Sequence, residues 1–206
     1  MTDLSKAISY LLHPLMMATY ASAIYLFLLP TPYTFADERV PYFLVGLIAT
    51  GTFMLPAFFS LLMLRMGKIK SLQMETIGER NWPLVFTVLI YFGVLYVLHN
   101  KFIPSFIQIF VLGATASMIV ALIINLRWKI SLHMIGAGGM CGAIAGNLMV
   151  TGEGPVKLLA GLVIISGGIA SARHYLGTHT LAQLFIGYIS GFAILFSLMA
   201  LLLVRI

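Results

Sequence analysis

Residues 171–204 read SARHYLGTHTLAQLFIGYISGFAILFSLMALLLV, and the second part of that stretch decides the fold. From His179 to Val204 the residues are overwhelmingly apolar and include no Asp, Glu, Lys or Arg. A helix needs about 20 such residues, at ~1.5 Å each, to cross roughly 30 Å of hydrocarbon. A barrel strand would be half as long and would alternate apolar with polar positions, which this run does not. The polar head of the stretch holds Arg173 and His179, with Gln183 one helical turn beyond the histidine. On a helix His179, Gln183, Gly187 and Gly191 share one face. An imidazole, an amide and two close-packing glycines therefore point the same way, with a guanidinium just upstream.

Six further apolar runs precede this one, at roughly Ile8–Leu29, Phe43–Leu64, Pro83–Leu98, Phe106–Ile124, Leu132–Val150 and Val156–Ala170. The chain is 61% hydrophobic and 9% charged over 206 residues, where a soluble domain is about a quarter charged. These features predict an all-α, polytopic transmembrane bundle of six to seven spans, built as one domain over residues 1–206. The third and sixth runs are short, so at least one is expected to extend into its loop. His13-Pro14 reads as a bend or an interfacial start of the first run. Ala21-Ser22-Ala23 resembles a signal cleavage site, but the run continues to Leu29 behind a single Lys6, so the segment is expected to stay. The lone Cys141 allows no internal disulfide and reads as a small packing residue.

The net charge of +6 fits loops near anionic lipid, not nucleic acid. Loop 65–82, the longest and most charged, has an amphipathic look suited to the headgroup plane. Loop 125–131 carries Arg127, Trp128 and Lys129, an interfacial set, and loop 151–155 reads as a tight turn. With seven spans, loops 65–82, 125–131 and 171–178 face the same side as the N-terminus. That side carries eight Lys and Arg residues against four on the other, or six against four without Arg80 and Arg173. The excess predicts a cytoplasmic N-terminus in a cell-membrane protein.

Gly138, Gly142 and Gly146 recur every four residues in the fifth run, and Gly187 and Gly191 form a second row in the seventh. Such small-residue stripes let helices approach closely. The mouths of these two spans can therefore meet. His133 opens the fifth span after Ser131, and His179 opens the seventh, both at the same membrane face. Two imidazoles can divide a phosphoryl transfer, one attacking phosphorus and the other protonating the leaving oxygen. Arginines clamp the anionic oxygens, with Arg173 the first candidate and Arg80 the second. Each histidine alone fits a structural interfacial role equally well. A bis-histidine haem between the two spans is the third reading. With only six acidic residues, none next to His133 or His179 in sequence, no metal site is expected.

Ser171-Ala172-Arg173, five residues, His179, three residues, Gln183 resembles the third signature of the type 2 phosphatidic acid phosphatases (PAP2), which reads Ser-Arg, five residues, His, three residues, Asp. Tyr175-Leu176-Gly177 is similar to the family's Tyr-Leu-Gly there. Ile130-Ser131-Leu132-His133 resembles its second signature, Pro-Ser-Gly-His. The likeness is strongest over the last 80 residues or so, with a PAP2-like core over about 65–206. It implies a helical bundle acting on a lipid phosphate or diphosphate, within phospholipid metabolism, with no cofactor and membrane lipid as its partner. A homo-oligomer is compatible with it. Carried over by position, His179 is the nucleophile, His133 the acid for the leaving group, and Arg173 and Ser131 the phosphate holders. Departures are specific. The first signature, Lys, six residues, Arg-Pro, would place Glu75 and Trp82 at its basic positions, with Arg80 a spatial substitute. Ile130 and Leu132 replace Pro and Gly, and Gln183 replaces the Asp that orients the nucleophile. These departures keep a second reading beside hydrolysis: a relative that binds or moves a lipid phosphate without turnover.

Overall fold

The computed structural model describes residues 2–29, 35–74, 76–99, 103–152 and 155–205. Glu75, Lys101, the turn residues 153–154 and the side chain of Arg205 lie outside the described residues. Among those described, the regular structure is entirely helical. It runs α1 (Thr2–Leu11), a 3₁₀ turn (Pro14–Met16), α2 (Met17–Phe27), α3 (Arg39–Ala49), a π segment (Thr50–Met54) and α4 (Leu55–Arg65). Then come α5 (Ile77–Leu98), α6 (Ser105–Asn125), α7 (Leu132–Thr151), α8 (Val156–Tyr175) and α9 (Leu181–Leu202). Taking α1–α2 and α3–α4 as broken units gives seven helices long and apolar enough to cross a membrane. This is the architecture of a multi-pass integral membrane protein.

Both short runs grow where their sequences turn polar. α5 starts at Ile77 because Thr76 and Glu79 form a capping box: Glu79 N–H donates to Thr76 Oγ1, and Thr76 N–H to Glu79 Oε2. Residues 77–82, expected in a loop, are therefore the first turns of a span. The rest of that loop, described from 66 to 74, is a series of turns and not an interfacial helix. α8 runs on to Tyr175, five residues past the end of the apolar run at Ala170.

α7 is the central helix: 61% of its apolar window is buried, against 22% for α8 and 28% for α9. Its most extensive partner is α9. A Cβ at Gly138 would meet the Tyr188 carbonyl, one at Gly142 the Phe192 carbonyl, and one at Gly191 the Ile135 carbonyl. The two glycine rows therefore bring backbone against backbone. Gly187 extends the contact to the Ser131 carbonyl at the mouth of the pair. Gly167 and Gly168 in α8 face open space.

The breaks in the first two spans have local causes. Pro14 cannot continue α1, and the His13 imidazole caps the new turn by accepting the Leu15 N–H at 3.3 Å. Pro56 has no N–H for the Thr52 carbonyl, and the buried Tyr91 hydroxyl donates to it instead, at 3.2 Å. The same π segment carries Phe53, whose ring stands edge-on to His13 at 6.4 Å.

Candidate functional site

The turn between α8 and α9 is defined residue by residue. Gly177, at φ 65°, takes the left-handed position that ends α8. Its N–H donates to the His174 carbonyl, and the Thr178 N–H to the Arg173 carbonyl at 3.3 Å. This is a Schellman ending with Arg173 in the last turn of the helix. Two residues later Thr180 caps α9 through a second capping box, its hydroxyl accepting the Gln183 N–H. His179 sits between the two motifs, 5% exposed. His174 stays exposed and donates Nδ1–H to the His179 carbonyl at 3.4 Å.

Gln183 closes its box through Oε1, which accepts the Thr180 N–H at 3.1 Å. The same oxygen lies 3.2 Å from His179 Nδ1. Because the backbone N–H requires an acceptor, the amide orientation follows, and Nδ1 is the donor of the His179 ring. Nε2 is left with its lone pair. Burial, then the charges of Arg80 and Arg173, push the His179 pKa down to about 3, against a smaller opposing effect of the Gln183 bond. The ring is therefore neutral at neutral pH, the state in which Nε2 can attack or accept.

The other expected residues gather at the same end of the bundle. Arg80 is 6% exposed and donates Nε–H to the Met74 carbonyl and Nη1–H to the Ile130 carbonyl, both at 3.0 Å. Met74 turns its carbonyl there from a left-handed backbone, φ 48°. Asn125 ties the end of α6 to the start of α5 through the Ile77 carbonyl and Asn81. Arg80 thus holds the loops before α5 and α7 together while using two of its five donors. Trp82, at the family's arginine position, is 64% exposed and faces outward. Ser131 caps α7 with its side chain fully buried, and its Oγ has no partner. Arg173 Nε is likewise buried without a partner. Among the described residues no carboxylate pairs with either guanidinium.

His133 lies near enough to Arg173 and His179 to feel both electrostatically, without ring contact to His179 among the described residues. Its Nε2–H points to the Ser9 carbonyl of α1 at 3.0 Å. His13, which reads from the sequence as a bend or an interfacial start, has its ring edge-on to His133 at 5.7 Å. It too lies within the field of Arg173. A histidine at a proline break in an apolar run was the only signal for it, and the N-terminal segment meets α7 through tertiary packing alone. Among the described residues no three His, Cys, Asp or Glu side chains form a metal-ligand set.

No family model matches the chain, and no curated protein or solved structure does either.

Proposed function

We propose that this mouth binds the phosphate of a membrane lipid and hydrolyses it through a phosphohistidine at His179. The observation that carries the reading is an excess of donors. Arg173 Nε and Ser131 Oγ are buried without partners, and Arg80 and Arg173 meet no described carboxylate. Buried polar groups left unpaired cost about 1–3 kcal/mol each, and an anionic oxygen would satisfy them. The neutral His179 lies within the charge of both arginines and keeps the Nε2 lone pair. Its lone pair forms a bond to phosphorus while the bond from phosphorus to the lipid oxygen breaks. That oxygen takes a proton from His133 in its imidazolium form, which the bound phosphate dianion favours, and donation leaves the ring neutral. Water then attacks phosphorus, returns a proton to His133, and releases inorganic phosphate and free His179. The guanidiniums supply the charge compensation that a metal supplies elsewhere.

A second reading, binding without turnover, has its own support. Gln183 brings an amide oxygen and no charge to His179, and shares that oxygen with Thr180 N–H. The His133 proton also rests on the Ser9 carbonyl, from which it would have to be released.

Purified protein given phosphatidic acid, phosphatidylglycerophosphate or a polyprenyl diphosphate separates the two. Phosphate release abolished by His179→Ala supports hydrolysis. Binding that Arg173→Ala weakens, with no release, supports the second reading. Absence of both rejects the phosphate site, and a haem absorbance in the purified protein would favour the third reading.

A further inference from the structure

The N-terminal 3₁₀ turn is seated on α7 one turn below His133. A Cβ at Gly136 would meet Met17 at 2.8 Å and the Pro14 backbone at 3.7 Å. This close seat holds His13 edge-on to His133 and within the field of Arg173. The tautomer of His13 follows from its own backbone. Nδ1 accepts the Leu15 N–H, so it carries no proton, and the neutral ring carries its proton on Nε2. Nδ1 is the ring nitrogen nearer the main chain, so Nε2 projects from the far edge of the ring. No protein acceptor is paired with it among the described residues. Arg173, whose charge reaches the ring, is a donor only. The His13 N–H is therefore open to a ligand, and with the Arg173 charge reaching the same ring the ligand that suits it is an anionic oxygen.

We propose that His13 is a phosphate-binding residue of the site, donating Nε2–H to a ligand oxygen from a turn that the Leu15 N–H holds in place. The inference rests on the phosphate reading above and extends it to the N-terminal segment, which none of the sequence signatures reaches. It makes residues 2–16 part of the site and not merely a first span. The ligand class is a phosphate monoester or inorganic phosphate, whose oxygens would then be shared by an imidazole and a guanidinium.

Two substitutions divide the functions of the ring. His13→Asn keeps an acceptor for the Leu15 N–H but ends short of the Nε2 position. His13→Gln extends an N–H donor to that position while lacking the short-range cap. Inorganic phosphate is titrated against the detergent-purified full chain by phosphorus NMR, with thermal melting to show that each variant is folded. Wild-type binding that Arg173→Ala removes establishes the phosphate reading independently of His13. Against that background, the proposal expects His13→Asn to weaken phosphate by about 10- to 100-fold, the worth of a hydrogen bond to a charged group. His13→Gln is expected to stay within about threefold of wild type. With lipid substrate the Asn loss appears in KM more than in kcat. The reverse pattern, Asn unchanged and Gln weakened, makes His13 a cap only and overturns the proposal. Equal effects of the two on phosphate, large or absent, overturn it as well. Failure of wild type to bind phosphate removes the proposal together with the reading beneath it.

Discussion

At the scale of single residues, Gln183 is what limits turnover in the proposed hydrolysis. Its oxygen orients His179 and fixes the tautomer, as a carboxylate would, but it cannot stabilise positive charge on the ring. In the serine-protease triad, exchanging carboxylate for amide costs about 10⁴ in kcat, part of it through the wrong tautomer. Here the tautomer is already right, so the charge alone is missing. Gln183→Glu restores it at the same length and keeps the capping box, which accepts either residue. Turnover of a phosphorylated lipid is expected to rise at least about tenfold, read as phosphate release per enzyme. An unchanged rate in a protein with measurable activity would sink the assignment of Gln183 as the limiting residue. The residue pattern alone made His179, Arg173 and Gln183 legible because one tight turn holds all three. His133 and Arg80 were reached by parity and charge. His13 was not reached, because nothing local joins residue 13 to residue 133; only the seat of Pro14 and Met17 on Gly136 does.

At the scale of elements, helix ends were harder to read than helix cores. Apolar runs report burial in lipid, and helices continue wherever a cap permits. The charges of Glu79 and Arg80 hid the first turns of α5, although Thr76 and Glu79 are a capping pair three residues apart. The glycine rows were legible in full, since their spacing alone states which face is small. Their energetic weight is testable by contrast. A methyl at Gly191 would drive into the Ile135 carbonyl, and neither backbone can retreat without parting α7 from α9. Gly191→Ala is expected to destabilise by about 1–3 kcal/mol, read by thermal melting in detergent. Gly168 has nothing within 4 Å of such a methyl, and Gly168→Ala is expected to be neutral or to stabilise by up to ~1 kcal/mol. Similar losses at both positions would show that the α7–α9 seam is not what the glycines serve. The same seam brings Gly187 onto Ser131, so a parted seam would also loosen the site.

At the scale of the whole molecule, the groups assigned to the site lie at one end of the bundle, where bonds join the loops before α5 and α7, His133 reaches Ser9, and Gly187 of α9 seats on the Ser131 carbonyl. Which side of the membrane that end faces decides which lipid pool it can reach. Counted along the sequence, the loops on the site's side hold Lys6, Arg65, Lys68, Lys70, Arg127 and Lys129 besides the two site arginines, and those assigned to the other side hold Arg39, Lys101, Lys157 and Arg205. Arg80 and Arg173 have a reason to be there other than topology, which reduces the excess to six against four. That remainder still favours the cytoplasmic side for the site. Lys68 and Lys157 are exposed at opposite ends, and Cys141 is fully buried, so single cysteines can be introduced without removing the native one. With a membrane-impermeant thiol reagent on intact cells, Lys157→Cys is expected to label at once and Lys68→Cys only after permeabilisation. The reverse pattern would turn the site outward, onto the opposite leaflet. In that case the basic residues around His179 would have to be explained by the ligand alone, because the topology signal would have failed.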